Sequence, residues 1–188
     1  MIDLYSSPSP NGRKISIMLE ELSVEYNPIF INLEKKEQFT EEFSKISPSN
    51  KIPVIVDKDN DQVIFESGAI LLYLAKKYNK FLNEKDYWEI IQWVFFQMSY
   101  VGPMLGQAHQ YLFYNPGKSK FAEEKTRGYT KHIYILRLPL RLIIIFFAPS
   151  LYGCCGRSGF PPFRFNSAIR PFTLLAKERA SAAVRRPR

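Results

Sequence analysis

The chain has 188 residues, 46% of them hydrophobic and 15% aromatic, enough for one domain or two small ones around buried cores. Its net charge of +8 would suit an anionic partner, but residues 1–135 balance at −1 and residues 136–188 at +9, which removes the case for a basic nucleic-acid surface on the first part. Both cysteines, Cys154 and Cys155, lie in the basic part, so residues 1–135 hold no thiol, and no spacing suggests a disulfide framework or a zinc site.

Taken in order, Met1–Tyr5 alternates apolar and polar residues and reads as a short strand. The turn "SPSPNG" follows. Asn11 suits the N-cap of a helix whose apolar stripe is Ile15, Met18, Leu19 and Leu22. "EYNPIFINL" (25–33) reads as a second strand, placed at an edge by Pro28. "TEEFSKIS" (40–47) fits a short helix begun by Thr40, with Glu41 and Glu42 matching its dipole. "KIPVIVDKDNDQVIFES" (51–67) reads as a hairpin around KDND, and "SGAILLYLAKKY" (67–78) as a helix that turns Ile70, Leu71, Leu74 and Tyr78 inward. The order β-α-β-α-β-β-α predicts a parallel crossover closed by a hairpin, a small sheet with helices on its faces. After a linker at 79–86, a long apolar-aromatic helix runs from Tyr87 to about Tyr114, interrupted at Gly102-Pro103, and a more polar one covers 119–134. Strand signals are absent from 87–134, which predicts a second, all-helical unit. No charged-then-apolar leader opens the chain, which favours the cytoplasm.

The first turn raises a chemical question. A helix starting there leaves unpaired N–H groups that favour an anion. Ser6, Ser7 and Ser9 add hydroxyl donors and Asn11 an amide. A carboxylate or thiolate would be stabilised, and with no thiol in residues 1–135 a thiolate must arrive with a ligand. A capped turn stiffened by Pro8 and Pro10 accounts for the same residues.

Several separated stretches, "PNGRK", "EQFTEEFSKISPSNKIP", "ESGAILLYLA", "QW", "FQM" and "VGPMLGQAHQ", occur in one order that resembles the glutathione transferases, most of all the nu-class branch of disulfide-bond reductases, over about residues 1–134. The resemblance implies a thioredoxin-like α/β domain at 1–81 that binds glutathione, then an all-α domain represented by 86–135. It implies a cis Ile52-Pro53 bond, with Ile52 pairing its backbone to the cysteinyl part of glutathione. Glu66 would meet the γ-glutamyl ammonium, Ser67 its carboxylate, and Gln38 and Lys51 the glycyl carboxylate. Lys125 would reach glutathione in a neighbouring subunit. Ser9 and Asn11 would hold the sulfur, with Ser9 standing where these relatives have threonine. The implied activity is glutathione-dependent transfer or disulfide reduction without a metal, on small thiol and disulfide substrates, by a homodimer if the helical domain is intact. Read alone, Pro53 also fits a strand start, Ser67 an N-cap, and Glu66, Gln38 and Lys51 a solvated surface. Tyr5 fits the core, and His109 and His132 have no partner at triad or ligand spacing.

At 136 the composition breaks. Lysine outnumbers arginine 14 to 2 before it and arginine outnumbers lysine 9 to 1 after it, and aspartate disappears. The break predicts a changed reading frame or a fused foreign segment at 136–188, leaving the helical domain truncated, rather than an evolved basic arm. The apolar run before Pro149 is too short for a membrane span. The expected consequence is exposure of Trp88, Trp93, Phe95 or Phe96, poor solubility and weakened turnover. A non-catalytic glutathione-binding or regulatory protein and a non-functional gene remnant are the alternatives.

Overall fold

A computed structural model of the chain describes residues 1–135. The readings made for 136–188 (the basic tail, its two cysteines, the frame change and the truncation) lie outside the described residues. Those described fall into two units, Met1–Asn83 and a second that begins at Glu84.

In the first unit the strands are β1 (Ile2–Ser6), β2 (Tyr26–Phe30), β3 (Val54–Asp57) and β4 (Gln62–Phe65), in sheet order β2-β1-β3-β4. β1 and β2 are parallel and joined by helix α1 (Pro10–Leu22), while β3 is antiparallel to both β1 and β4. This is the predicted thioredoxin-like arrangement. Pro28 is tolerated because β2 is an edge strand. Strand alternation sends Ile2, Leu4 and Ile55 to the face covered by α1 and α3 (Ser67–Lys77), where Ile15, Met18, Leu19, Ile70, Leu71 and Leu74 are buried. Tyr5 and Val54 point the other way, into a cluster with Ile31, Ile46, Ile52 and Phe43 of α2 (Glu41–Ile46). Thr40 caps α2 as expected, its Oγ1 accepting the Phe43 N–H at 3.3 Å.

One polar cluster ties the hairpin to α3. The buried Asp57 carboxylate accepts hydrogen bonds from Lys77 Nζ and Tyr73 OH, and Lys77 also pairs with Asp59. Burial pushes the Asp57 carboxyl up, but the bonds from Lys77, Tyr73 and the Asp59 N–H outweigh it and hold the group below the ordinary carboxylate range. Asp59, bonded to Lys77 and to the chain's amino group, is lowered to about 2. Both folded-state values lie below the unfolded ones. Their stabilisation is therefore present above about pH 4 and disappears as pH falls toward 2. A urea-midpoint series over that range should slope steeply downward, and Asp57→Asn should flatten the slope while lowering the midpoint at pH 7.

In the second unit, α4 (Tyr87–Phe96), α5 (Gly102–His109) and α6 (Lys120–Ile135) enclose Val101 and Ile133, with Trp93, Phe96, Tyr100, Met104 and Leu105 packed around them. The predicted interruption at Gly102-Pro103 is a π turn, Gln97–Val101, and not a break. Pro103 has no N–H to donate, and the Gly102 N–H reaches back to Gln97 O, so the helical path widens and continues. A second π turn, Gln110–Tyr114, ends it. Trp88, Phe95 and Phe121 are exposed, whereas Trp93 and Phe96 are half-buried and meet edge to face at 5.8 Å. No helix among the described residues is long and apolar enough to cross a membrane.

Candidate functional site

Strand direction gathers the sequence-predicted residues. β1 leaves the sheet at Ser6, β3 enters it at Val54 opposite Tyr5, and β4 leaves it at Phe65 opposite Val54. The turns carrying Ser9 and Asn11, Ile52 and Pro53, and Glu66 and Ser67 therefore lie at one end of the sheet. Gln38 follows β2, which leaves at the same end.

At the start of α1 the N-cap is Ser9, not Asn11. Pro10 occupies the first helical position, where a missing N–H and a fixed φ cost nothing, so the capping position falls one residue earlier. The Ser9 Oγ accepts the Gly12 N–H at 3.1 Å, and the Arg13 N–H binds Ser9 O at 3.0 Å. With Pro10 lacking a hydrogen, the one first-turn N–H without an acceptor among the described residues is that of Asn11. The Asn11 side chain is exposed, and its Oδ1 accepts from Lys14 Nζ at 2.9 Å. Its amide hydrogens and the Ser9 hydroxyl hydrogen have no acceptor among the described residues. Three donors, one hydroxyl, one amide and one backbone N–H, thus stand at the positive end of a 13-residue helix.

Gly12 permits this turn. A Cβ there would lie 2.8 Å from the Ser7 carbonyl oxygen and would also strike the buried Ser6 hydroxyl. Gly12→Ala is expected to cost about 1–3 kcal/mol of stability, read as a lower urea midpoint, because backbone would have to move.

The Ile52-Pro53 peptide is cis, as expected. Ser47 holds the preceding backbone, its Oγ donating to Lys51 O at 2.8 Å and accepting the Lys51 N–H at 3.1 Å. The Lys51 side chain is exposed, and the N–H and C=O of Ile52 enter no turn or loop hydrogen bond among the described residues. Gln38 is held by its backbone, whose carbonyl accepts from Asn50 Nδ2 at 2.9 Å, while its own Oε1 is buried without a described partner. Glu66 is exposed and sits at φ 68°, ψ 120°, a conformation strained for an L-residue. Its carbonyl accepts the Ile70 N–H at 2.9 Å, and Ser67 opens α3 as a buried residue. Lys125 belongs to the second unit, on α6, its ammonium over the rings of Phe121 and Tyr129 at 5.8 and 5.9 Å. Tyr5 is half-buried against Phe43, His109 stacks on Tyr114, and His132 meets Tyr100 edge to face. Among the described residues no group of three His, Cys, Asp or Glu could hold a metal.

Sequence reasoning missed two residues. Asn50 adopts the left-handed conformation and ties Gln38 O to Ser44 Oγ, a role hinted at by its place in the turn "SPSN". Lys14 is fully buried, and burial lowers its ammonium to about 8. Its one signal in the sequence is position, since it stands four residues before Met18 on the apolar stripe.

The family model described as "Glutathione S-transferase, N-terminal domain" matches residues 1–76. The chain is 44% identical over 141 residues to the disulfide-bond oxidoreductase YfcG of Escherichia coli (strain K12), covering 71% of this chain and 66% of that protein. Its fold matches a glutathione transferase from Pseudomonas putida, crystallised with one glutathione disulfide per subunit, with TM-score 0.72 at 32% identity, covering 81% and 74% of the two chains. The glutathione transferase URE2P6 from Phanerochaete chrysosporium, in complex with oxidized glutathione, matches with TM-score 0.81 at 28% identity over 97% of each. The chain spans from 50% to 66% of the length of the first curated relatives it matches.

Proposed function

The chain belongs to the glutathione S-transferase family, and from that premise we propose that it binds glutathione at the start of α1 and uses the bound thiolate to reduce small disulfides. The observation that carries the reading is the trio of donors on Ser9 and Asn11, set at a positive helix end in a region without cysteine. A free thiol ionises at about 8.5, and such surroundings lower that value, so more of the bound sulfur is thiolate at neutral pH.

In the first step the thiolate attacks one sulfur of a disulfide RSSR. A mixed disulfide GSSR forms, and one thiolate RS⁻ leaves and takes a proton from water. A second glutathione thiolate attacks the glutathione sulfur of GSSR, giving glutathione disulfide and the second RS⁻. No sulfur of residues 1–135 takes part. The tripeptide is held by the backbone of Ile52 beside the cis Pro53, as an added strand would be. Glu66 pairs with its ammonium and Ser67 with the γ-glutamyl carboxylate, while Gln38, through its side-chain amide hydrogens, and Lys51 face the glycyl end. The helix start at Ser67 and the exposed Lys51 and Glu66 side chains support these roles. Residues 1–81 are proposed as the glutathione-binding domain and 86–135 as part of the helical domain. Lys125 contacting a second subunit's glutathione, and a homodimer, belong to the same proposal.

Calorimetric titration with reduced glutathione, followed by a coupled assay of disulfide reduction, tests the reading. Micromolar to low-millimolar binding with turnover supports it. Binding without turnover selects the non-catalytic alternative, and no binding by a chain whose circular dichroism shows the sheet intact overturns it. Resequencing the DNA around codon 135 tests the proposed frame change directly.

A further inference from the structure

Lysine is rarely buried without an acid beside it, because removing an ammonium from water is costly. Lys14 is 1% exposed, and no described carboxylate pairs with it. Its neighbours along the helix, Ile15 and Met18, belong to the apolar core, where a leucine or methionine would pack without that cost. Among the described residues its single hydrogen-bond partner is Asn11 Oδ1, at 2.9 Å. A lysine ammonium can only donate. It therefore fixes which end of the Asn11 amide faces inward, and the Nδ2 hydrogens must face the other way.

We propose that Lys14 is a positioning residue of the sulfur niche: its buried ammonium locks the Asn11 amide so that Nδ2 is presented to the bound thiolate. This rests on the functional reading above. The inference accounts for a lysine where packing alone asks for an apolar side chain, and it makes Asn11 a pre-oriented donor instead of an exposed side chain free to flip. Preorganised donors act on developing or resident charge with little reorganisation.

The test uses the full chain. Lys14→Met keeps the stem volume and removes the donor. Lys14→Arg keeps a cationic group that can only donate. For Lys14→Met the expected result is a cooperative melt no lower than the parent's and glutathione affinity within about three-fold. Its kcat should be about ten-fold lower, and the bound thiol, followed by thiolate ultraviolet absorbance, should titrate about one pH unit higher. Lys14→Arg should hold kcat within about three-fold of the parent, and on an Asn11→Ala background Lys14→Met should add less than about a two-fold effect. Parent-like kcat and thiol titration in Lys14→Met would overturn the inference, as would independent, multiplying effects of the two sites. Loss of a cooperative melt in both lysine variants would overturn it too, since the lysine would then serve only the core. Failure of the parent chain to bind glutathione overturns the functional reading itself, and that result is seen before any lysine variant is made.

Discussion

Asn11→Ala is expected to lower glutathione-dependent disulfide reduction about a hundred-fold while leaving glutathione affinity within about three-fold, the pattern of a donor that acts on charge at the reacting atom. The side chain is exposed, so its removal opens no cavity and the helix keeps its Ser9 cap, but Lys14 loses its one described partner and the melting temperature should fall. The backbone N–H of residue 11 survives the substitution, as does the Ser9 hydroxyl, which is why the loss should stop short of abolishing turnover. Measured kcat, KM and the bound thiol's titration distinguish this outcome from simple unfolding. An Asn11→Ala protein with parent-like kcat would remove Asn11 from the chemistry.

Glu66→Gly should move stability and binding in opposite directions. The left-handed φ of 68° strains a glutamate, a strain of order 1–3 kcal/mol, whereas glycine adopts it freely and loses about 0.5–1 kcal/mol through its looser unfolded chain. The balance favours the glycine variant by about 1 kcal/mol, which is about 2–4 °C in melting temperature for a chain of this size. Glutathione affinity should meanwhile fall about thirty-fold, because a charge-assisted bond to the ligand's ammonium is lost. Glu66→Ala is the control, keeping the strain and losing the carboxylate, so it should bind as weakly as the glycine variant without the gain in melting temperature. Equal affinity in all three proteins would take Glu66 out of the binding site.

Much of this was legible in the residues because the relevant signals are local. Period-two and period-3.6 patterning located every strand and α-helix of the first unit, though not the short 3-10 turn Glu37–Phe39 that carries Gln38, and Pro28 and Thr40 identified an edge strand and a cap through what each can and cannot hydrogen-bond. The N-cap of α1 was misplaced by two residues because Asn11 and Ser9 are both good caps. Only the fit of Pro10 to the first helical position decides between them. The helix through Gly102 looked broken because a proline reads as a stop, whereas a five-residue turn absorbs the missing N–H. Lys14 was invisible for a different reason. Its burial depends on how α1 packs on the sheet, and sequence spacing places it on a face without saying that its charged end goes under too. The proposal of glutathione as the ligand came from the order of several motifs, since hydroxyls and an amide at a helix start suit any anion.

The niche at the start of α1 is lined by a hydroxyl, a carboxamide and a main-chain N–H, and residues 1–135 hold no thiol. Peroxide that drives a cysteine enzyme's nucleophile to sulfinic acid disables that polypeptide for good. On the proposed function, the thiol exposed to such damage at this niche arrives with a replaceable tripeptide. An overoxidised tripeptide would then be exchanged for a fresh one, leaving the polypeptide at this niche intact.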